Sequence, residues 1–297
     1  MTAIVVHGGA GDSSPDRHDR LRAGVRAAAA AGDAILAAGG SALDAVVAAV
    51  RVLEDDPEYN AGTGAALTRD GTVETDAAVM DGHDQRVGAV GAVPDLGRAI
   101  ALARAVLDAG EHVLLAGPAA WRFAAEVGIE PAAPGALVTD RARARLRDVL
   151  AGARAKSGGT VGAVARDRDG RLAAATSTGG IAGKRPGRIG DSPIAGAGTW
   201  ADRYAAISAT GDGEAVLRVA LARGIAARVA DGVALRPATT DALGDLQRTT
   251  GGSAGVIAVS RDAIIALQLS PTMPVASIVR RAGLAAASDS LGETYTP

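Results

Sequence analysis

The feature that most constrains this chain is a pair of β-rich runs near its middle, joined by a tight-turn signal. The runs cover residues 160–166 (TVGAVAR) and 171–176 (RLAAAT), and Asp167-Arg168-Asp169-Gly170 lies between them. An Asp-Gly pair favours the backbone conformation of a β-hairpin turn, and short apolar runs bounded by turn residues are typical of buried strands. The sequence therefore predicts two neighbouring antiparallel strands, around which the fold must be built.

Patterns on both sides of this hairpin indicate how it is covered. An Ala-rich helical pattern over about residues 19–38 stops at Gly39-Gly40, and Ser41 is placed to cap a second helix that breaks near 54–57. We expect further helices within 97–154, 214–230 and 238–248, and further strands at 4–6, 65–68, 72–79, 88–93 and 112–115, before Thr210, and in a last hairpin at 255–260 and 263–269. Strands that cluster with helices outside them predict a layered, mostly antiparallel α/β sandwich.

Composition excludes several classes of function. The chain has 297 residues and no Cys, which removes disulfides, thiolate nucleophiles and Cys-ligated metals. Its 31 basic and 33 acidic residues nearly balance, and two Trp, three Tyr and one Phe are too few for base-stacking platforms. We therefore expect no nucleic-acid partner.

No segment of the sequence is suited to a membrane. The longest stretch without a charged residue, 263–279, contains Gln268, Pro271 and Pro274, which spoil a bilayer helix. The first residues have neither a basic region nor a long apolar region, so they read as a strand and not as a signal peptide. A cytoplasmic protein without membrane contact is the expectation.

One familiar catalytic pattern matches by string but not by context. Residues 251–255 (GGSAG) fit the nucleophile-elbow string, yet a helix is expected before them and a strand after them, the reverse of the required order. All four His residues precede Ser253, and no pair of them has metal-ligand spacing. The sequence therefore supports neither a serine triad nor a catalytic zinc ion.

A second set of motifs is rich in Thr, Gly, Arg and Asp. The motifs are VHGGAG at 6–11, LEDDPEYNAGTG at 53–64, Asp76 through Met80-Asp81-Gly82, GTVGAV at 159–164, TSTGG at 176–180, Lys184, GRIGDSP at 187–193 and TGDGE at 210–214. Together they closely resemble the plant-type (type III) asparaginase/isoaspartyl peptidase family of N-terminal-nucleophile hydrolases. The resemblance extends over nearly the whole chain. It implies an α+β fold, a four-layer αββα sandwich forming one domain over residues 1–297.

The same resemblance implies that the chain cuts itself between Gly159 and Thr160, giving an α subunit of residues 1–159 and a β subunit of residues 160–297. The segment 151–159 (AGARAKSGG) supplies slack before a strand. Before the cut, the nitrogen of Thr160 is an amide and cannot accept a proton. Afterwards it is an α-amine with a pKa of ~7.7–8.0, so one residue supplies both nucleophile and general base.

Other roles carry over to matching positions. The resemblance implies that Thr178 orients the Thr160 hydroxyl, that the Thr210 hydroxyl and the Gly211 N–H form an oxyanion hole, and that Asn60 lies close to the nucleophile. For substrate binding it implies Arg188 on the α-carboxylate and Asp191 on the α-ammonium, with Thr210, Gly211 and Gly213 beside them. A planar guanidinium suits a carboxylate because it donates two parallel hydrogen bonds.

Implied partners are few. No cofactor is expected for catalysis, but a structural sodium ion is implied, held mainly by main-chain carbonyls of Leu53, Glu54, Asp56, Tyr59, Ala61 and Thr63. The implied assembly is a dimer of αβ heterodimers, that is, a heterotetramer.

The implied activity is hydrolysis of β-aspartyl amide bonds, in isoaspartyl dipeptides and in L-asparagine, which yields L-aspartate and ammonia. A glycosylasparaginase-type amidase ranks second, because Gly159, and not Asp, precedes Thr160. A non-processing homologue that only binds aspartyl ligands is a third interpretation. It is favoured by Gly158 and by Leu269-Ser270-Pro271-Thr272-Met273, which replaces the family's usual Asn-Thr-containing segment.

Overall fold

The computed structural model describes residues 1–153, 159–282 and 284–296, so most of the predicted slack segment 151–159, Gly158 included, lies outside the described residues. Within those ranges the helices are α1 His18–Ala37, α2 Ala42–Asp55, α3 Ala99–Ala109, α4 Ala120–Glu126, α5 Asp140–Leu150, α6 Gly213–Val219, α7 Leu221–Ala230 and α8 Leu235–Thr250. The strands are β1 Thr2–His7, β2 Glu74–Asp81, β3 Val87–Pro94, β4 Leu114–Ala116, β5 Val161–Arg166, β6 Leu172–Thr178, β7 Thr199–Ala201, β8 Ala205–Gly211, β9 Ala254–Ser260, β10 Ile264–Gln268, β11 Val275–Arg281, β12 Leu284–Ser290 and β13 Glu293–Thr294.

The strands form two sheets. The larger has the order β12-β11-β1-β5-β6-β2-β3-β4, and the smaller has the order β13-β10-β9-β8-β7. Neighbouring strands are antiparallel except for the pairs β3–β4 and β10–β13. The predicted central hairpin is confirmed as β5 and β6, with Ala163 opposite Ala175.

The two sheets pack face to face with helices outside them. Alternate residues of β5 show this directly, since Val161, Ala163 and Ala165 pack under α1 and α2, whereas Val164 belongs to the layer between the sheets. Helices α7 and α8 cover the outer face of the smaller sheet. The predicted four-layer αββα sandwich is confirmed, and its inter-sheet layer is built mainly of Ala and Val, in keeping with the scarcity of aromatic residues.

Two expectations about the strands are wrong. Residues 65–68 form no strand and make only isolated bridges, from Leu67 to Val73 and from Thr68 to Lys184. The hairpin β9–β10 is not the last one, because β11 and β12 follow and extend the larger sheet beside β1. Strand β12 (LAAASDS) is exposed almost throughout, so it lacks the apolar alternation by which a strand is recognised.

None of the described helices is both long enough and apolar enough to cross a membrane.

Gly88 is where helix α3 approaches the larger sheet most closely. A Cβ atom at this position would lie 2.0 Å from the carbonyl oxygen of Ala103 and 2.4 Å from the nitrogen of Leu107. Both are backbone atoms, so the helix would have to move. We expect Gly88→Ala to lower the free energy of unfolding by about 1–3 kcal/mol, measured by urea denaturation.

Gly224→Ala is the matched control, because Gly224 lies in α7 and its nearest neighbour would be the Arg228 Nη1 atom at 3.5 Å, an ordinary contact. It should keep or raise stability, by up to about 1 kcal/mol, since Ala is the better helix former. Equal losses in the two variants would contradict the close packing at Gly88.

Candidate active site

Thr160 lies directly before β5, between the two sheets, with 6% of its surface exposed. Because Val161 is paired with Ser177, the register of β5 and β6 brings Thr160 beside Thr178. The Thr160 hydroxyl donates to the Thr178 Oγ1 atom over 3.2 Å. The two residues therefore meet as the resemblance implies, and the orienting role of Thr178 stays a prediction.

Two donors hold the carbonyl oxygen of Gly159, the residue before Thr160. Asn60 donates through Nδ2 over 2.8 Å, and Thr178 donates its own hydroxyl proton over 3.3 Å. The Thr178 oxygen also accepts from the Gly180 N–H over 3.0 Å. Hydrogen bonds thus run from the Thr160 hydroxyl through Thr178 to the carbonyl that precedes Thr160.

Asn60 is itself fixed in place. Its Oδ1 atom accepts from the Ala66 N–H over 2.6 Å, and Nδ2 also donates to the Gly180 carbonyl over 2.7 Å. Both amide protons and the amide oxygen are therefore used. The side chain is buried, so this amide is a preorganised donor.

Gly9 supports the peptide between Gly159 and Thr160 from the other side. A Cβ atom on Gly9 would lie 2.7 Å from the Gly159 Cα and 2.8 Å from the Thr160 nitrogen, and Gly9 has φ +104°. Glycine is therefore needed here for space and for conformation. Gly9 belongs to the sequence motif at 6–11, but the motif alone does not indicate what Gly9 contacts.

His7, the nearest motif histidine, is not available as a base. It is fully buried and bonds through Nε2 to the Ser208 Oγ over 3.0 Å. Burial lowers the pKa of its ring to about 3, so the imidazole is neutral at pH 7. This agrees with an N-terminal amine as the base.

Seven of the predicted residues line one small pocket. They are Gly159, Thr160, Thr178, Arg188, Asp191, Gly211 and Gly213. Gly213 keeps the pocket open, because a Cβ atom there would lie 2.8 Å from both the Arg188 Nη2 and the Asp191 Oδ1. Thr210 lies behind the lining, where its Oγ1 accepts from the Ala10 N–H over 3.1 Å.

Gly211 ends strand β8 beside the pocket with φ +139°, and a Cβ atom there would lie 2.4 Å from the Ser253 carbonyl oxygen. The close approach of two backbone segments accounts for a glycine at this point. The oxyanion role of Thr210 and Gly211 stays a prediction.

Arg188 has a partner that the sequence did not reveal. Its Nε and Nη2 atoms donate to the two carboxylate oxygens of Glu214 over 3.0 and 2.9 Å. Glu214 lies in the first turn of α6, within the motif at 210–214, and its side chain is 63% exposed. This carboxylate lies at the guanidinium to which the resemblance assigns the substrate α-carboxylate.

Asp191 is a buried carboxylate with one oxygen that accepts no hydrogen bond. Its Oδ2 atom is buried and has no hydrogen-bond partner among the described residues. Burial raises the pKa of Asp191 to about 7, although nearby Arg188 acts in the opposite direction. Such a group is suited to receive a cation donor.

The loop assigned to sodium is compact and rich in buried carbonyls. The Thr63 N–H donates to the Glu54 carbonyl over 2.8 Å, and the Tyr59 N–H donates to the Asp56 carbonyl over 3.2 Å. A carbonyl oxygen has two lone pairs, so these bonds leave room for an ion. Leu53, Tyr59 and Ala61 are buried, and Arg141 donates to the neighbouring Pro57 and Glu58 carbonyls. Carbonyl oxygens are of the ligand type that suits a monovalent cation, and the site stays a prediction.

Among residues 1–153, 159–282 and 284–296, no cluster of three or more His, Asp or Glu side chains could hold a metal ion.

Thr160 is a candidate nucleophile that lies between two sheets, next to a carbonyl that accepts two hydrogen bonds. This arrangement is that of an N-terminal-nucleophile sandwich. A family model described as "Asparaginase" matches residues 1–285, and the chain therefore belongs to this asparaginase family. It is 48% identical to the isoaspartyl peptidase/L-asparaginase of Bos taurus over 87% of this chain and 86% of the relative. It is 46% identical to the Homo sapiens protein of the same name, over 87% and 86%. It is 41% identical to the isoaspartyl peptidase of Salmonella typhimurium, over 89% and 90%.

Replacing Asp191 should stabilise the protein in a pH-dependent way. Its folded pKa of about 7 exceeds the ordinary value of ~3.9, so between these pH values the folded state holds a proton that the unfolded state has lost. Stability therefore falls as pH rises through this window. We expect Asp191→Asn to raise the free energy of unfolding by about 1–3 kcal/mol at pH 8, with a smaller gain near pH 5.

Urea denaturation at both pH values measures the effect, with exposed Asp70→Asn as the control, expected within about 0.5 kcal/mol of wild type. A gain for Asp191→Asn that does not grow with pH would contradict the buried carboxylate.

Proposed function

We propose that this protein is a self-processing threonine hydrolase that cleaves β-aspartyl amide bonds, in isoaspartyl dipeptides and in L-asparagine, which yields L-aspartate and ammonia. The observation that carries the proposal is the contact of the Thr160 hydroxyl with Thr178, beside the held Gly159 carbonyl. The relatives named isoaspartyl peptidase/L-asparaginase support the choice of substrates.

Self-cleavage begins with attack of the Thr160 Oγ on the Gly159 carbonyl carbon. As the Oγ–C bond forms, the carbonyl oxygen gains negative charge, which the Asn60 and Thr178 donors stabilise. The C–N bond then breaks, and the nitrogen takes up the proton that the hydroxyl has lost. Water hydrolyses the resulting ester, leaving Gly159 as a carboxylate and Thr160 with a free α-amine.

Turnover uses the same hydroxyl with the new amine as its base. Arg188 binds the substrate α-carboxylate and Asp191 binds the α-ammonium, which presents the β-carbonyl to Thr160. The Thr210 hydroxyl and the Gly211 N–H stabilise the oxyanion, the amine or ammonia leaves, and water releases aspartate from the acyl-enzyme. Asp191 is suited to its role because its Oδ2 lacks any partner among the described residues.

Glu214 closes the carboxylate site when no substrate is present. Its carboxylate meets Arg188 with the two parallel hydrogen bonds that a substrate would use. A substrate must therefore displace the carboxylate of Glu214, which belongs to the same chain as Arg188. Because Glu214 is mostly exposed, it can move into water at low cost.

The remaining features of the proposal concern assembly and environment. No cofactor takes part in catalysis. A sodium ion held by the carbonyls of residues 53–63 would keep rigid the loop that carries Asn60. The processed protein is a dimer of αβ heterodimers in the cytoplasm, with small-molecule substrates.

A denaturing gel and an ammonia assay test the function. Wild type should convert from 29.3 kDa into two bands and release ammonia from asparagine. Thr160→Ala should stay as one band, and Asn60→Ala should cut about 10²–10³ times more slowly, because it loses one donor to the oxyanion. A wild-type chain that stays whole and inactive would contradict the proposal and favour a binding homologue. Faster hydrolysis of GlcNAc-Asn than of β-Asp-Leu would favour the glycosylasparaginase interpretation.

Removing the competing carboxylate should improve substrate binding. An ion pair with one exposed partner is worth ~0.2–1 kcal/mol, so we expect Glu214→Gln to lower the KM for L-asparagine by about 1.4- to fivefold. Steady-state kinetics measure this, with exposed Glu111→Gln as the control, expected to leave KM unchanged. A raised KM in Glu214→Gln would mean that Glu214 orients Arg188 for the substrate and does not compete with it.

A further inference from the structure

A cleft of about 690 Å³ opens at the end of β5 that is opposite Thr160. It lies where several turns meet: the β5–β6 turn, the β9–β10 turn, the turn before β8 and the end of β11. Five arginines line it, namely Arg166, Arg168, Arg203, Arg261 and Arg281. We call it the arginine cleft.

The arginine cleft carries unbalanced positive charge. Only two acidic residues, Asp169 and Asp262, are among its lining residues. In the part of the chain that the structure describes, none of the five arginines forms an ion pair. Arginines nearby behave differently, since Arg280 pairs with Asp33 at 2.6 Å. The lining therefore has a surplus of three positive charges, although Arg168 also donates to the Gly39 carbonyl and Arg203 lies over the Tyr204 ring.

Arg166 forms the floor of the arginine cleft. It ends β5 and, like Val164, points into the layer between the sheets. It is only 5% exposed, its Nε is buried without a described partner, and its Nη1 reaches only the Ser260 carbonyl at 3.4 Å. Burial lowers the pKa of this guanidinium, Arg281 and Arg261 act in the same direction, and nearby Asp262 acts against them. Asp262 makes no hydrogen bond or ion pair with Arg166 among the described residues, so the floor still lacks a directly bonded anion for a buried cation.

The adjacent carboxylate does not supply that anion. Asp167 uses one oxygen for the N–H groups of Asp169 and Arg171, at 3.0 and 2.9 Å, and the other for the Ala42 N–H at 3.2 Å. Both carboxylate oxygens of Asp167 therefore accept hydrogen bonds from the turn and from the start of α2.

We propose that the arginine cleft binds a small molecule that carries two or more phosphate groups, such as pyrophosphate or a nucleoside triphosphate. Guanidinium forks match phosphate oxygens in pairs, and the volume lies in the range of ~300–1,000 Å³ typical of ligand sites. A long polyanion fits less well, because the chain as a whole has a net charge of −2 and would repel it beyond the cleft.

The arginine cleft is separate from the substrate pocket. Arg166 and Thr160 are six residues apart on one extended segment, which places them ~20 Å apart. The ligand therefore does not compete with an aspartyl substrate, and the proposal is independent of the proposed function.

Calorimetric titration of the full chain with sodium pyrophosphate, at low and at about 150 mM salt, tests the proposal. We expect binding of one pyrophosphate per chain, weakened at least about tenfold in Arg261→Ser/Arg281→Ser by the loss of two forks. The control Arg51→Ser/Arg122→Ser removes two exposed arginines that likewise form no ion pair among the described residues, and it should change the affinity less than about twofold. Thr160→Ala should bind like wild type.

Arg166→Met provides a second readout. Pyrophosphate should raise the Tm of wild type but not of this variant, and the variant without ligand should be at least as stable as wild type. A destabilised Arg166→Met that still responds to pyrophosphate would make Arg166 structural and overturn the proposal.

Three further outcomes would also overturn it. They are no binding at about 1 mM pyrophosphate, equal losses in the two double variants, and mutual exclusion with L-aspartate, which would place the anion at Arg188. Tighter binding of a single-stranded DNA oligomer than of pyrophosphate would assign the cleft to a polymer and refute a small-molecule site.

Discussion

The hydrogen bonds to the Gly159 carbonyl are the interaction on which the rest of the site depends. They join a loop that follows α2, through Asn60, to strand β6, through Thr178. Each donor is held by further bonds to the segment 178–180, and Gly9 presses the same peptide from behind. Three parts of the chain that are distant in sequence therefore fix the position of one peptide group. The orientation of Thr160 follows from the position of that peptide.

The pocket beside Thr160 contains charges that are not at their most stable. Asp191 is buried with an unused oxygen, and Arg188 is paired with an exposed carboxylate. In the proposed function, the ammonium of an amino acid would give the unused Asp191 oxygen a partner, and its carboxylate would replace Glu214 at Arg188. Only the first of these contacts supplies a partner to a group that lacks one, so Asp191 would be the main source of selectivity.

Much of this could be predicted from the sequence, for local reasons. The β5–β6 hairpin was predictable because its turn residues are contiguous, and Thr160, Thr178, Arg188 and Asp191 lie in short motifs. The Arg188–Glu214 pair was not, because it depends on how α6 is set against a loop from 26 residues earlier. Strand β12 has no apolar periodicity to reveal it. The arginine cleft escaped notice because its residues come from turns that only the folded sandwich brings together.

The order of strands in the larger sheet bears on what a cut after Gly159 would leave. Strand β1 lies between β11 and β5, and β2 lies beside β6. The two products would therefore be interleaved within one sheet. Strands β1 and β2 of the first product would both stay hydrogen-bonded to strands of the second. Neither fragment could leave without opening the sheet at three seams, so processing would change the covalent structure while the sandwich itself stayed whole.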